Sequence, residues 1–372
     1  MKTATITFHA PNNNGSFLQA YALQQILTNE VGVENVIIDY SSDSQIRQYS
    51  LLRFPHSVGD LGRNLISLMH YPSLKRRVSR FEEIRKTYLK MTPRYTKASE
   101  VYAEAQDYDA VICGSDQIWN TGARDYSDVY FMPEFNKKKI SYAVSFGSDT
   151  KTIDKERVKG FLSGFSAVSA REKAGCDFLS EMGIDSRVMC DPTLLLKKSD
   201  YIPLMSKKAE ADGKYIFLYT INYGDSVLQT AKAVSEKYGL PVYTPFTGYS
   251  AEKAKKYGIK VLYDVAPAQF LRLINDAEYV CTNSFHGTAF SVIFEKKFFR
   301  MGKWDAEKGA LVEDDRIDGL LERIGLTDCT AYVVGTETVI PAPEWNYSDV
   351  ETKTEDIRNA AVDFLRETLL DR

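Results

Sequence analysis

The chain has 372 residues, 44% hydrophobic and 26% charged, so it can bury two sizeable cores without disulfide or metal staples. Lys plus Arg number 47 against 50 Asp plus Glu, a net charge of −3, which excludes a dedicated nucleic-acid binder and a supercharged tail. With 23 tyrosines and 19 phenylalanines, large-scale disorder is excluded as well.

Short apolar runs alternate with amphipathic stretches along the whole chain. The pattern predicts a strand at Ala4–Phe8, an Asn/Gly loop, a helix at Phe17–Thr28 and a strand at Val36–Asp39. Buried strands follow at Asp109–Cys113 and Lys139–Ser145, then helices at Lys155–Leu162 and Glu172–Met182 around a short strand, Ala167–Ser169. Lys197–Gly213, rich in Lys, Ser and Asp, reads as a linker. Beyond it come a strand at Tyr215–Thr220, a helix at Ser226–Tyr238, a strand at Pro241–Tyr243, a helix at Ala266–Asn275 and a strand at Tyr279–Thr282. A short helix at Gly287–Phe294, a strand at Lys297–Arg300 and a final helix at Thr352–Leu370 complete the reading. Strands alternating with helices of this length indicate βαβ units and parallel sheets. The expected architecture is therefore two α/β domains, 1–200 and 201–345, with 346–372 a helix returning to the first.

Leu51–Lys90 departs from this rhythm. It carries nine Lys/Arg against three acids, a local net of +6, interleaved with the apolar residues Leu61, Leu65, Ile66, Leu68, Met69, Leu74 and Phe81. It reads as a basic helical insertion in the first domain, a solvated cap by preference, with a membrane-surface role as the sharper alternative.

The five cysteines form no CxxC pair, and histidines do not cluster with them, so neither a zinc site nor a disulfide framework is expected. Cys113 and Cys281 lie in apolar runs and read as buried thiols. The first residues, MKTATITFHAPNNNGS, lack the apolar stretch of a signal peptide, and no window suits a transmembrane helix. A soluble cytoplasmic protein is expected.

Four motifs could carry chemistry. In HAPNNNGSFLQAYALQ a strand runs through a loop into a helix, so Asn14, Gly15 and Ser16 could cradle an anion; a plain turn is the alternative. GSDQIWN follows a buried strand and sets Ser115 and Asp116 where parallel sheets bind ligands; Asp116 could orient or deprotonate a hydroxyl, or merely cap a helix. In SAREKAG, Arg171 stands at a helix start, where a cation is disfavoured unless an anion binds there. DPTLLL, with Asp191, reads as a structural turn. The sharpest is CTNSFHGTAFS: a buried strand, a small polar loop and a helix opening at His286 and Gly287. A proton donor beside a helix start suits phosphoryl-ester or enol chemistry, with Ser284, Gly287 and Thr288 making a cradle; a satisfied structural histidine is the alternative. No G-x-G-x-x-G, P-loop or G-x-S-x-G occurs, which argues against a dinucleotide fold, an NTPase and a serine hydrolase.

Taken in order, NNNGSFLQAYAL, GSDQIWN, SFG, SAREKAG, DPTLLL and TNSFHGTAFS resemble the polysaccharide pyruvyl transferase family, over about residues 5 to 325. The resemblance implies a GT-B-type enzyme, two Rossmann-like domains facing a cleft, that moves a pyruvyl group from phosphoenolpyruvate to sugar hydroxyls and releases phosphate. It implies His286 as the proton-transfer residue and Arg171 as an anion contact to the donor; with the motifs read above, Asp116 is expected to share the catalysis, Ser284, Gly287, Thr288, Asn14, Gly15 and Ser16 to contact the donor, and Ser115 and Gln117 the acceptor. Relatives commonly carry arginine two residues before the histidine, where this chain has Ser284. No cofactor or metal is implied; the partners are phosphoenolpyruvate and a sugar or lipid-linked oligosaccharide, with peripheral contact at the inner face of the membrane. A nucleotide-sugar glycosyltransferase of the same fold and a non-catalytic glycan-binding relative are the alternatives.

Overall fold

The computed structural model describes residues 1–52, 58–123, 125–147 and 150–370. In chain order these form β1 (Lys2–Ile6), α1 (Asn14–Asn29), β2 (Glu34–Ile37), α2 (Asp43–Tyr49), α3 (Val58–Met69), α4 (Tyr71–Tyr88), α5 (Ala98–Ala105), β3 (Ala110–Cys113), β4 (Lys138–Ser141), α6 (Lys155–Leu162), β5 (Ser169–Ala170), α7 (Lys173–Ser180) and β6 (Arg187–Val188). After α8 (Lys198–Tyr201) come β7 (Ile216–Tyr219), α9 (Asp225–Tyr238), β8 (Val242–Pro245), β9 (Lys260–Leu262), α10 (Pro267–Asp276), β10 (Tyr279–Thr282), α11 (Phe285–Ile293), β11 (Phe298–Met301), β12 (Trp304–Asp305), β13 (Ala310–Leu311), α12 (Asp315–Ile324), β14 (Thr330–Val334), β15 (Glu337–Val339) and α13 (Tyr347–Leu370).

The chain divides into two compact units. The first comprises Met1–Ser50, Glu82–Leu196 and Thr354–Arg372. Its parallel sheet has the order β2-β1-β3-β4, with Ile37, Thr5, Ile112 and Ile140 in one row across it. Strands covered on both faces need apolar side chains throughout, which is why AVIC at β3 is wholly buried. Helix α1 is also buried almost all round, and the Asn13 side chain accepts from Gly15 N to cap it. Trp119 is a packing residue: its ring stacks on Phe131 at 4.7 Å, and its Nε1 donates to Tyr130 O. The end of α13 belongs here, with Arg358 donating to Leu194 O and Arg366 to Glu30 O.

The second unit comprises Leu51–Phe81 and Lys197–Lys353. Its sheet has the order β15-β14-β11-β10-β7-β8-β9, parallel except for the β14–β15 pair. Strands β7 and β10 are central, with Cys281 beside Leu218 and Phe299.

Two expectations change. The basic insertion does not stay with the first domain: Leu51–Phe81 belongs to the second unit, because Leu74 joins the second core with Ile216, Leu218 and Val227. Arg77 and Arg80 also donate to the Val265 and Asp264 carbonyls. The linker expected at Lys197–Gly213 gives way at its start, where α8 and a 3-10 turn at Ile202–Leu204 seat the buried Tyr201 against Phe290. Arg53 of the basic segment lies outside the described residues.

Candidate active site

In the first unit the loops after β1, β3 and β4 meet at the carboxyl edge of the sheet. A β-carbon at Gly114 would sit 2.2 Å from Tyr142 O, so only glycine lets the chain turn there. The turn leaves Asp116 at φ 72°, with its carboxylate accepting from Ser16 Oγ at 2.8 Å and from Gln117 N at 2.9 Å. Asp116 and the α1 start are thus brought together. Beside them, the Oδ1 of Asn14 is buried with no hydrogen-bond partner, an acceptor position that a ligand could satisfy. Gln19 braces the loop by donating to Thr7 Oγ1, Phe8 O and Ser16 O.

Two expected contacts look different in place. Ser115 is fully buried and its Oγ donates to Ala143 O at 2.5 Å, so it braces β3 to the segment after β4 instead of facing an acceptor. Arg171 is not at the surface. It donates to Asp191 Oδ2 at 2.9 Å, with both side chains buried, and Asp191 Oδ1 accepts from Thr193 N and Oγ1. Burial works against the guanidinium's charge, but Asp191, Glu172 and Asp116 together hold its pKa above the usual value. The cation near the start of α7 therefore has an internal carboxylate as its anion. Gln117 is half-buried and its Oε1 accepts from Asn120.

A second cluster was missed in the sequence. His9 is buried, with Nδ1 at 3.1 Å from Thr7 O and Nε2 at 3.1 Å from Asp39 Oδ1. Burial would raise the pKa of Asp39, but His9 and Arg94 outweigh it and hold the carboxyl below the usual range. Nearby, Arg85 donates to Ala10 O, and burial pulls its pKa down to about 10. His9 and Asp39 are thirty residues apart, so no local spacing announced the pair.

In the second unit, β10 ends at Thr282 and α11 opens on Ser284, whose side chain accepts from Gly287 N as the N-cap. Thr282 Oγ1 donates to Tyr219 O at 2.6 Å, and the Asn283 side chain accepts from Thr220 Oγ1 and Ile221 N, tying the ends of β7 and β10 together. His286 stands half-buried on the first turn of α11. Gly287 is confined: a β-carbon there would lie 2.1 Å from Thr282 Oγ1. Thr288 is buried and donates to Ser284 O. Ser284, His286, Gly287 and Thr288 are therefore one local constellation.

A buried cation of the insertion also packs into this unit. Arg77 of α4 donates from Nε to Val265 O at 3.1 Å and lies over the Phe81 ring. Burial lowers its pKa, and the phenols of Tyr219 and Tyr223 partly offset that. The +6 segment was the available signal; which arginine turns inward is decided by the packing of Leu74 on the second core. Among the described residues no cluster of His, Cys, Asp and Glu is suited to a metal.

Two parallel-sheet α/β units of this kind define the GT-B class, and solved structures agree. A protein of Listeria monocytogenes assigned as a UDP-N-acetylglucosamine 2-epimerase has 11% identity and a TM-score of 0.51, with 99% of this chain and 90% of that chain covered. The S. aureus MnaA–UDP co-structure has 11% identity and a TM-score of 0.50, covering 99% of this chain and 91% of that one. At such identity the likeness concerns the fold. A search of curated proteins finds no match. The family model of polysaccharide pyruvyl transferase matches residues 13–302, and the chain belongs to that transferase family.

Proposed function

We propose that the protein transfers a pyruvyl group from phosphoenolpyruvate to two hydroxyls of a cell-surface polysaccharide or its lipid-linked precursor. A proton adds to the donor's methylene carbon, leaving positive charge at C2. One hydroxyl attacks C2 and loses its proton; the C2–O bond to phosphate then breaks. A second hydroxyl attacks and loses its proton, so one donor and two hydroxyls yield one ketal and one inorganic phosphate. No oxidant or cofactor enters the balance.

The observation that carries this reading is the entrance of α11. An imidazole stands on the first turn of a helix, next to a glycine that leaves no room for a side chain, in a chain of this family. His286 is the proposed proton donor, and the backbone N–H groups of the helix start, with Ser284, Gly287 and Thr288, are its proposed anion cradle. The sequence Cys281–Ile293 contains no Lys or Arg, so the cation for an anionic donor must come from elsewhere. Arg77 is proposed for that role. In the first unit, Asp116 is the proposed group for orienting an acceptor hydroxyl, with Gln117 beside it, and Asn14, Gly15 and Ser16 are proposed to bind anionic oxygen. Arg171 is proposed to hold this region's shape through Asp191 and to reach a donor only alongside it. The workplace proposed is the cytoplasm, at the inner face of the membrane where a lipid-linked precursor is carried.

The test is phosphate release from phosphoenolpyruvate with a glycan acceptor. His286→Asn should cut turnover by at least about a hundredfold and leave donor affinity within about tenfold. Thermal stabilisation by a UDP-sugar but not by phosphoenolpyruvate would replace the reading with a nucleotide-sugar glycosyltransferase. Stabilisation by glycan alone, with no phosphate released, would replace it with a glycan-binding role.

A further inference from the structure

Helix α3 is built inside out. Leu61, Leu65, Leu68 and Met69 are spaced to share one helix face, and they are 56%, 61%, 57% and 69% exposed. The side turned toward the protein carries Ser67, which is buried, and Ile66, which packs against the second core. An ordinary surface helix buries its leucines and shows water its polar face. Four large aliphatic side chains presented together to solvent mark an interaction surface.

The charge beside this stripe indicates what covers it. Tyr71, 39% exposed, starts the next helix, and Lys75 and Arg76 stand exposed one turn further on. The described residues of this segment in the second unit, 58–81, hold five cations against one acid, Asp60; Lys75 is exposed, and Arg76 and Arg80 also lie against Asp264. Aliphatic side chains enter the boundary between headgroups and acyl chains, while lysine and arginine remain with anionic headgroups. A second copy seated stripe to stripe would instead bring two cationic segments together. No helix among the described residues is long and apolar enough to cross a membrane, so an in-plane helix is the form such contact would take.

We propose that α3 docks the protein on an anionic phospholipid bilayer, with Leu61, Leu65, Leu68 and Met69 entering the interface and Lys75 and Arg76 holding the headgroups. The proposal deepens the reading of a lipid-linked acceptor and takes its purpose from it, but its test requires neither donor nor acceptor. The full chain is sedimented with vesicles of phosphatidylcholine alone and of phosphatidylcholine with phosphatidylglycerol. Binding should need the anionic lipid and weaken with salt, since the Debye length is about 8 Å at 0.15 M.

The triple variant Leu61→Ser, Leu65→Ser, Leu68→Ser should melt like the unchanged protein, because these side chains face water, yet bind vesicles at least about a hundredfold less. Phosphate release with a soluble acceptor should be unchanged in it. Equal recovery on neutral and anionic vesicles, or undiminished binding by the triple variant, overturns the proposal. So does a dimer that the triple variant converts to monomer with no vesicle binding by either form, which would make this face a contact between copies. Loss of phosphate release in every form would refute the transferase reading and leave the vesicle result standing.

Discussion

Gly287 and Tyr219 are packed so that a β-carbon on the glycine would lie 3.0 Å from Tyr219 Cδ1, after first striking Thr282 Oγ1. The first turn of α11 is therefore fixed against the end of β7 by the absence of one methyl group. Gly287→Ala should push that turn away from Thr282 and cost about 1–3 kcal/mol in stability. Phosphate release should fall further than the loss of stability explains, because His286 rides on the same turn. Urea unfolding and turnover on one preparation check both; full activity at wild-type stability would mean the helix start tolerates the shift.

Arg77 is the cation proposed for the donor, held in the second unit by Val265 O and the Phe81 ring. Removing it as Arg77→Ala should weaken phosphoenolpyruvate binding by about one to two decades, the worth of a charged hydrogen bond. Arg76→Ala, an exposed neighbour on the same helix, should leave donor affinity unchanged. Calorimetric titration of both variants decides, and equal affinities would remove Arg77 from the donor site.

The Arg171–Asp191 pair is buried on both sides. Asp191→Asn leaves the guanidinium facing a neutral amide in a buried setting, so stability should drop by about 3–5 kcal/mol. Arg171→Lys keeps the charge but not the planar fork, and should also destabilise. A loss below about 1 kcal/mol in Asp191→Asn, read from urea midpoints, would show that the pair holds little of the first unit together.

Asp39 gives a pH dependence with a definite sign. Its folded pKa is depressed by His9 and Arg94 against the opposing effect of burial. A depressed carboxylate adds stability that is complete above the unfolded pKa and is withdrawn as pH falls through the folded one. The stability gap between the unchanged protein and Asp39→Asn should be widest near neutral pH and should narrow below about pH 4. Urea unfolding at stepped pH tests this; a gap that stays constant from pH 7 to 3 would exclude Asp39 as the source.

Most of the framework could be read from the chain because parallel strands announce themselves as apolar runs. Tyr279–Thr282 and Lys155–Leu162 fall where the pattern sets them. The α11 constellation was legible for the same reason: its residues are consecutive, and a strand leads straight into it. What depends on packing was not legible. Apolar spacing in α3 gives a helix but not the direction its stripe faces, and nothing local assigns Leu74 to the second core. Ser115 and Arg171 looked like ligand contacts because sequence shows residue type and hides the carbonyl and carboxylate that engage them. The His9–Asp39 pair escaped for want of proximity along the chain.

The first unit is assembled from three stretches of chain, and one of them, Thr354–Arg372, is made after the whole of the second unit. Phe364 and Leu365 in that stretch are wholly or almost wholly buried, so the first unit lacks part of its interior until that stretch has been made. The second unit, begun later, has its whole complement before then. Order of synthesis and order of completion are thus reversed, and a stop codon at position 354 would spoil the half of the protein that was made first.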